Sequence, residues 1–152
     1  MNNDLVIRQA TLDDIDDLAA MFNEYRQFYR QPDNLEQSKT FLQQRLEAEE
    51  SIAFIASHQQ QPSGFVHLYP TYSSVHLKKI WILNDLYVRS TARRKGVGFG
   101  LLDAAKTMAK ETGALCLKAS SAQNNFTSQQ VYEAKGYQRD RQFFHYVLPL
   151  MH

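Results

Sequence analysis

Apolar residues recur along this chain at two different spacings, and the switches between them mark out its elements. Residues 5–10 follow a short strand-like pattern. Thr11 then stands where a helix N-cap belongs, and Asp13 and Asp14 put negative charge in the first turn, which suits the helix dipole. Ile15, Leu18, Ala19, Phe22 and Tyr25 repeat at helical spacing, which predicts a helix over residues 12–28. Gln31-Pro32-Asp33-Asn34 ends it, because the position before a proline disfavours helix. A second helix follows, with Leu35, Phe41, Leu42 and Leu46 among its apolar positions. Residues 51–57 and 64–71 are β-prone runs joined by a Gln/Pro/Ser/Gly turn, the pattern of an antiparallel hairpin. Residues 79–88 predict another strand, and residues 98–112 a helix whose stripe is Leu101, Leu102, Ala105 and Met108 and whose stop is Gly113. A strand over 115–119, a short helix over 127–135 ended by Gly136, and a last strand over 143–150 complete the chain. The order β-α-α-β-β-β-α-β-α-β predicts one mixed α/β domain over residues 1–152, with helices flanking a single sheet.

Composition narrows the function classes. The chain has 152 residues, 43% of them apolar and 12% aromatic, enough for a sizeable core, and its 22% charged fraction is ordinary for a soluble protein. Seventeen Lys+Arg against sixteen Asp+Glu leave a net charge of +1, which gives no electrostatic reason to expect nucleic acid or a membrane surface as the main partner. A single cysteine forms no internal disulfide. Cys116, between Leu115 and Leu117 on an expected strand, reads as an ordinary buried thiol. His58, His67, His76, His145 and His152 show no metal-ligand spacing, so no metal is expected. The start Met-Asn-Asn-Asp lacks the basic and apolar regions of a signal peptide, and no apolar run approaches a membrane span, so a cytoplasmic location is expected.

The stretch LNDLYVRSTARRKGVGFGLL, residues 83–102, carries the most chemistry. A strand ends near Val88, and a basic loop leads into glycines at a helix start. Such a turn collects unpaired amides and the positive end of a helix dipole, and Arg93, Arg94 and Lys95 add charge beside it. Gly96, Gly98 and Gly100 let backbone approach a ligand where a Cβ would obstruct it. Glycines alone describe a solvated surface turn equally well. The phosphate loop G-x-x-x-x-G-K-[ST] is absent. The dinucleotide fingerprint fails too, since its third glycine falls at Gly100, one position early, and the loop follows a fourth strand.

The segment Arg93-Arg94-Lys95-Gly96-Val97-Gly98 resembles the acetyl-CoA signature [Q/R]-x-x-G-x-[G/A] of the GNAT superfamily of N-acetyltransferases. It follows Leu86-Tyr87-Val88 on a strand and opens a helix with Leu101-Leu102, as in that family. Downstream, the run from Asn125 to Tyr137 resembles the family's N-x-x-[A/S]-x-x-[L/F/V]-Y-x-x-x-G-[F/Y] segment, and the expected element order fits over nearly the whole chain.

The resemblance implies a mostly antiparallel sheet whose fourth strand splays from its fifth, with the pantetheine of acetyl-CoA in the gap. By position, Leu86, Tyr87 and Val88 offer it backbone groups, and the Val88 amide is the candidate to stabilise the thioester oxyanion. The amides of Arg94, Lys95, Gly96, Val97, Gly98 and Phe99 cradle the pyrophosphate beside Arg93, while Lys118, Ala119, Ser120, Asn125 and Ser128 contact the rest of the cosubstrate. Tyr132 is the implied general acid: a CoA thiolate resembles a cysteine thiolate, of pKa about 8.5, and a tyrosine near 10 donates to it without ionising at neutral pH.

The base is open between Asp85 and a water, since some relatives carry a glutamate where this chain has Asn84. In this superfamily the first two helices wall the acceptor groove, which makes Glu24, Tyr25 and Tyr29 acceptor-contact candidates along with Asn84. A carboxylate such as Glu24 or Asp85 favours a cationic amine. Asp13, Asp14, Asp16 and Asp17 are expected to be helix-start charges and a solvated face. The implied activity is transfer of an acetyl group from acetyl-CoA to a primary amine by direct attack in a ternary complex. A non-catalytic acyl-CoA-binding or sensor module and an enzyme of longer acyl-CoA are the rivals. The apolar run Tyr146-Val147-Leu148-Pro149-Leu150 either finishes the sheet or helps form the expected homodimer.

Overall fold

The computed structural model describes residues 4–151, and its chain divides after Ser120 into two units. In the first unit, β1 (Leu5–Gln9), α1 (Ile15–Phe28), α2 (Leu35–Glu47), β2 (Ile52–His58), β3 (Gln61–Ser73), β4 (Lys78–Val88), α3 (Val97–Glu111) and β5 (Leu117–Ala119) follow in that order. The five strands form one sheet in sequence order, antiparallel from β1 to β4 and parallel between β4 and β5.

Local chemistry accounts for the boundaries. Thr11 caps a 3-10 turn over Leu12–Asp14 that runs into α1, in a capping box with Asp14. Asp14 is the helix-start charge expected, but it does not lie on a solvated face. It is buried and accepts two hydrogen bonds from Arg8, at 2.8 and 2.6 Å, and one from the Thr11 amide at 2.8 Å. The guanidinium of Arg8 therefore holds its carboxyl below the usual range. Asn34 caps α2 through the Gln37 amide, and Asn23 of α1 anchors the connection by accepting from the Asn34 amide and donating to Asp33. The β2–β3 turn sits on Gln59 and Gln60, both at positive φ, so β3 begins at Gln61, earlier than expected. Pro62 is tolerated near the start of that strand.

Two layers cover the sheet. On one side Leu18, Met21 and Phe22 of α1 and Leu42 of α2 pack with Ala53, Ile55 and Phe65. On the other, Val97 of α3 lies against the β3 backbone at Gly64, and Trp81 of β4 donates its indole N–H to Thr112 just past α3, at 2.9 Å. Cys116 is exposed, contrary to expectation: it precedes β5 and enters the sheet only through its carbonyl, which accepts from the Trp81 amide.

The second unit holds α4 (Phe126–Ala134), whose N-cap Asn125 accepts from the Ser128 amide at 3.2 Å. The last strand expected over residues 143–150 does not form. Asp140 takes the amides of Gln142 and Phe143 in a local turn, and a strand without a partner has no ladder to satisfy its backbone. Phe144, Tyr146, Val147 and Leu148 are 84–90% exposed.

Candidate active site

The site grows out of an irregularity in β4. His67 of β3 pairs with Asp85 but its neighbour Leu68 pairs with Leu83, so Asn84 is an extra residue that kinks the strand. Parallel pairing with β5 stops at Leu83↔Ala119, next to this bulge. From Asn84 to Val88, β4 has no strand on that side among the described residues. Backbone groups of Leu86, Tyr87 and Val88 thus line an open sheet edge, and Lys118, Ala119 and Ser120 lie at the end of the strand that parts from it.

Beyond Val88 the chain makes a 3-10 turn over Ser90–Ala92 and reaches α3 through exposed Arg93, Arg94, Lys95 and Gly96. Arg94 and Gly96 both adopt positive φ, at 65° and 80°, a tight curl that glycine permits and arginine adopts at some cost. Gly96 caps α3 with no side-chain hydrogen bond, so among the described residues the first-turn amides at Val97 and Gly98 find no side-chain cap. That curl, helix dipole and basic charge fit an anionic pyrophosphate. Gly100 has a different duty. A Cβ there would run into the tip of Ile7 on β1, so this glycine seats α3 on the sheet.

Around Tyr87 the acceptor candidates come together. Tyr25 packs edge-on to Tyr87, Phe65 and Tyr29, with centroids 6.1, 5.8 and 5.2 Å apart. Glu24 accepts from the Tyr87 hydroxyl at 3.0 Å and from Arg89 Nε and Nη2 at 3.0 and 2.7 Å. The Arg89 guanidinium holds the Glu24 carboxyl below its usual range, while burial and then the bond to Glu24 push the Tyr87 hydroxyl up. Glu24 is therefore neutralised by a fixed partner. Arg89 also donates to the Pro62 carbonyl at 3.0 Å, so α1, β3 and the start of the loop share one clamp. Nothing in the sequence singled out Arg89, whose partner lies sixty-five positions away.

Asp85 lies on the α1 side of the sheet, 7% exposed. It accepts from His67 Nδ1 at 3.0 Å and from Asn84 Nδ2 at 3.1 Å, and His67 Nε2 meets Ser51 Oγ at 2.7 Å. His67 and Ser51 also escaped the sequence reading. The available signal was a histidine inside the apolar run Phe65-Val66-His67-Leu68.

In the second unit Tyr132 is half-buried on α4, its ring 5.3 Å from that of Tyr137. Asn125 and Ser128 occupy the first turn of the same helix. Burial pushes the Tyr137 hydroxyl up to about 12, and among the described residues it has no hydrogen-bond partner. Among the described residues no group of His, Cys, Asp or Glu is placed to hold a metal ion, and no helix is long and apolar enough to cross a membrane.

Comparison with known proteins bears on this geometry. A profile described as the Acetyltransferase (GNAT) family matches residues 18–137. The chain is 46% identical over 142 residues to the uncharacterized N-acetyltransferase YhfO of Bacillus subtilis (strain 168), covering 93% of this chain and 95% of that protein. It is 33% identical over 124 residues to a probable acetyltransferase of Haemophilus influenzae (strain ATCC 51907 / DSM 11121 / KW20 / Rd), covering 81% and 83%. The crystal structure of a probable acetyltransferase, 42% identical, superposes with a TM-score of 0.92 over 97% of this chain and 99% of that one.

Proposed function

Because the chain belongs to the GNAT family of acetyltransferases, we propose that it moves an acetyl group from acetyl-CoA to a primary amine by direct attack in a ternary complex. The observation that carries this reading is the continuity of three features among the described residues: the β4 edge left open past Leu83, the curled loop after it, and the α3 start that no side chain caps. An extended chain ending in phosphates suits such a path, with amide groups along the strand and unpaired amides at its end.

In this reading acetyl-CoA supplies the activated thioester. The β4 edge at Leu86, Tyr87 and Val88 orients it, the Val88 amide donates toward the carbonyl oxygen, and the loop from Arg93 to Phe99 holds the phosphates. Tyr132 donates a proton to the departing thiolate. Tyr25, Tyr29 and Tyr87 supply an aromatic wall for the acceptor, on which the Glu24–Arg89 pair carries little net charge. The exposed apolar run from Phe143 to Met151 supports the homodimer expected from sequence.

Calorimetric titration with acetyl-CoA, with ATP and NAD as controls, is the test, followed by thiol release with a panel of amines. Binding confined to CoA species with turnover of an amine is expected. Binding without turnover of any amine would instead favour the non-catalytic module, and no binding would overturn the loop assignment.

A further inference from the structure

The first unit carries a hydrogen-bonded Ser–His–Asp chain in its interior. His67 has no exposed surface, and Ser51 and Asp85 are 6% and 7% exposed. Burying such groups costs more than apolar filling unless each finds its partners. Here they do. Asp85 is the acceptor for both Asn84 Nδ2 and the His67 ring, which puts a hydrogen on Nδ1. Ser51 serves Nε2 in either ring state, donating to the neutral ring or accepting from the charged one. Phe22 closes over the imidazole edge-on and Tyr69 packs against it, with centroids 6.4 and 4.7 Å away.

We propose that Ser51 and His67 are positioning residues for the transfer reaction, fixing the Asp85 carboxylate in place beside the β4 kink, where it pairs with the protonated amine of the acceptor and takes one of its protons. This inference rests on the acetyltransferase reading above. Three features support it. Asp85 is next to the bulge at which β4 leaves β5, so it borders the open edge. It shares a sheet face with Tyr87 and the aromatic wall around it, since His67 and Phe65, their β3 partners, both pack against Phe22. The other carboxylate on that wall, Glu24, is already held by Arg89, which leaves Asp85 to receive a cationic amine.

Other titratable groups border the cluster. Tyr69 lies on β3, its hydroxyl pushed up by burial and then by Asp85. Arg45 of α2 and Glu50 also act on Tyr69 and pair with each other at 2.7 Å. From α1 the neighbour is the uncharged Phe22.

The protons balance as follows. The ammonium gives one proton to Asp85, and its nitrogen forms the bond to the acetyl carbon as the carbon–sulfur bond breaks. The nitrogen's second surplus proton ends on the departing thiolate, and Asp85 returns its own to water.

The test uses the whole chain with Ser51→Ala, His67→Gln and Asp85→Asn. The probe is whichever of 1,4-diaminobutane, lysine and benzylamine the wild-type chain acetylates fastest. Wild-type kcat/KM for the amine should level off near neutral pH, because a base in the site accepts the ammonium's proton. In Asp85→Asn it should fall about 100-fold at neutral pH. It should then climb with pH toward the chosen amine's own pKa, because free amine becomes the only usable form. His67→Gln and Ser51→Ala should move the profile the same way by smaller amounts, with acetyl-CoA affinity unchanged. Folded His67→Gln and Ser51→Ala chains that bind acetyl-CoA and keep the wild-type profile would overturn the inference, whether or not Asp85→Asn folds. A wild-type chain that acetylates none of the three amines would overturn the underlying reading, a result visible before any variant is made.

Discussion

Single residues make sharply different contributions here, and partners explain the differences. Asp14 joins a capping box to a two-pronged pair with Arg8, so Asp14→Ala should cost about 1 kcal/mol or more by urea unfolding. Tyr137→Phe should do the reverse: it removes a buried hydroxyl that has no partner among the described residues, so the melting temperature should rise, by about 1 kcal/mol of stability. Asp14 and Glu24 are both held below their ordinary values of 3.8 and 4.5. The folded state therefore binds fewer protons than the unfolded chain through this range. Their contribution is complete above about pH 5 and is lost as pH falls through the lowered values. Unfolding midpoints measured from pH 7 down to 3 should drop along that course, and Glu24→Gln should shrink the drop. For Tyr132→Phe we expect kcat to fall more than the KM for acetyl-CoA rises. An unchanged kcat across neutral pH would remove Tyr132 from proton transfer.

Among the elements, the helices were legible because each announces itself within a dozen residues. Thr11 with Asp14 and the spacing of Leu18, Phe22 and Tyr25 mark α1, and the glycine run with Leu101 and Leu102 marks α3. The loop of the candidate site was legible for the same reason, since its curl and its charge are contiguous. Pairings across the fold were not. Arg89 with Glu24, and His67 with Asp85 and Ser51, unite residues 16–65 positions apart, which no local pattern encodes. The expected last strand failed on the same ground, because an apolar run needs a neighbour before it becomes a strand. Gly64 shows how a strand pairing constrains one position. A Cβ there would lie 2.6 Å from the Tyr87 carbonyl oxygen, which belongs to backbone and has nowhere to turn. Gly64→Ala should therefore force β3 from β4, costing about 1–3 kcal/mol by thermal denaturation. It should also weaken acetyl-CoA binding, since it disturbs the segment that carries Tyr87 and Val88.

For the whole molecule the surface from Phe143 to Met151 matters most, because soluble monomers rarely leave so continuous an apolar run in water. Two copies of one chain bring the same run twice, as a two-fold contact requires. Sedimentation should give the mass of two chains, and truncation after Gln142 should give one. The bulge at Asn84 reaches further than its own strand. Leu83 faces the α3 layer with Leu68, whereas Asp85 faces the α1 layer with His67, so one inserted residue reverses the parity of β4 halfway along. Upstream, odd-numbered positions anchor the scaffold. Downstream, odd-numbered positions meet the chemistry. Deleting Asn84 would keep Leu83 opposite Leu68 and Asp85 opposite His67, each on its present face, and would remove only the kink beside which β4 parts from β5, so an irregularity of one residue, as much as composition, is what opens a site there.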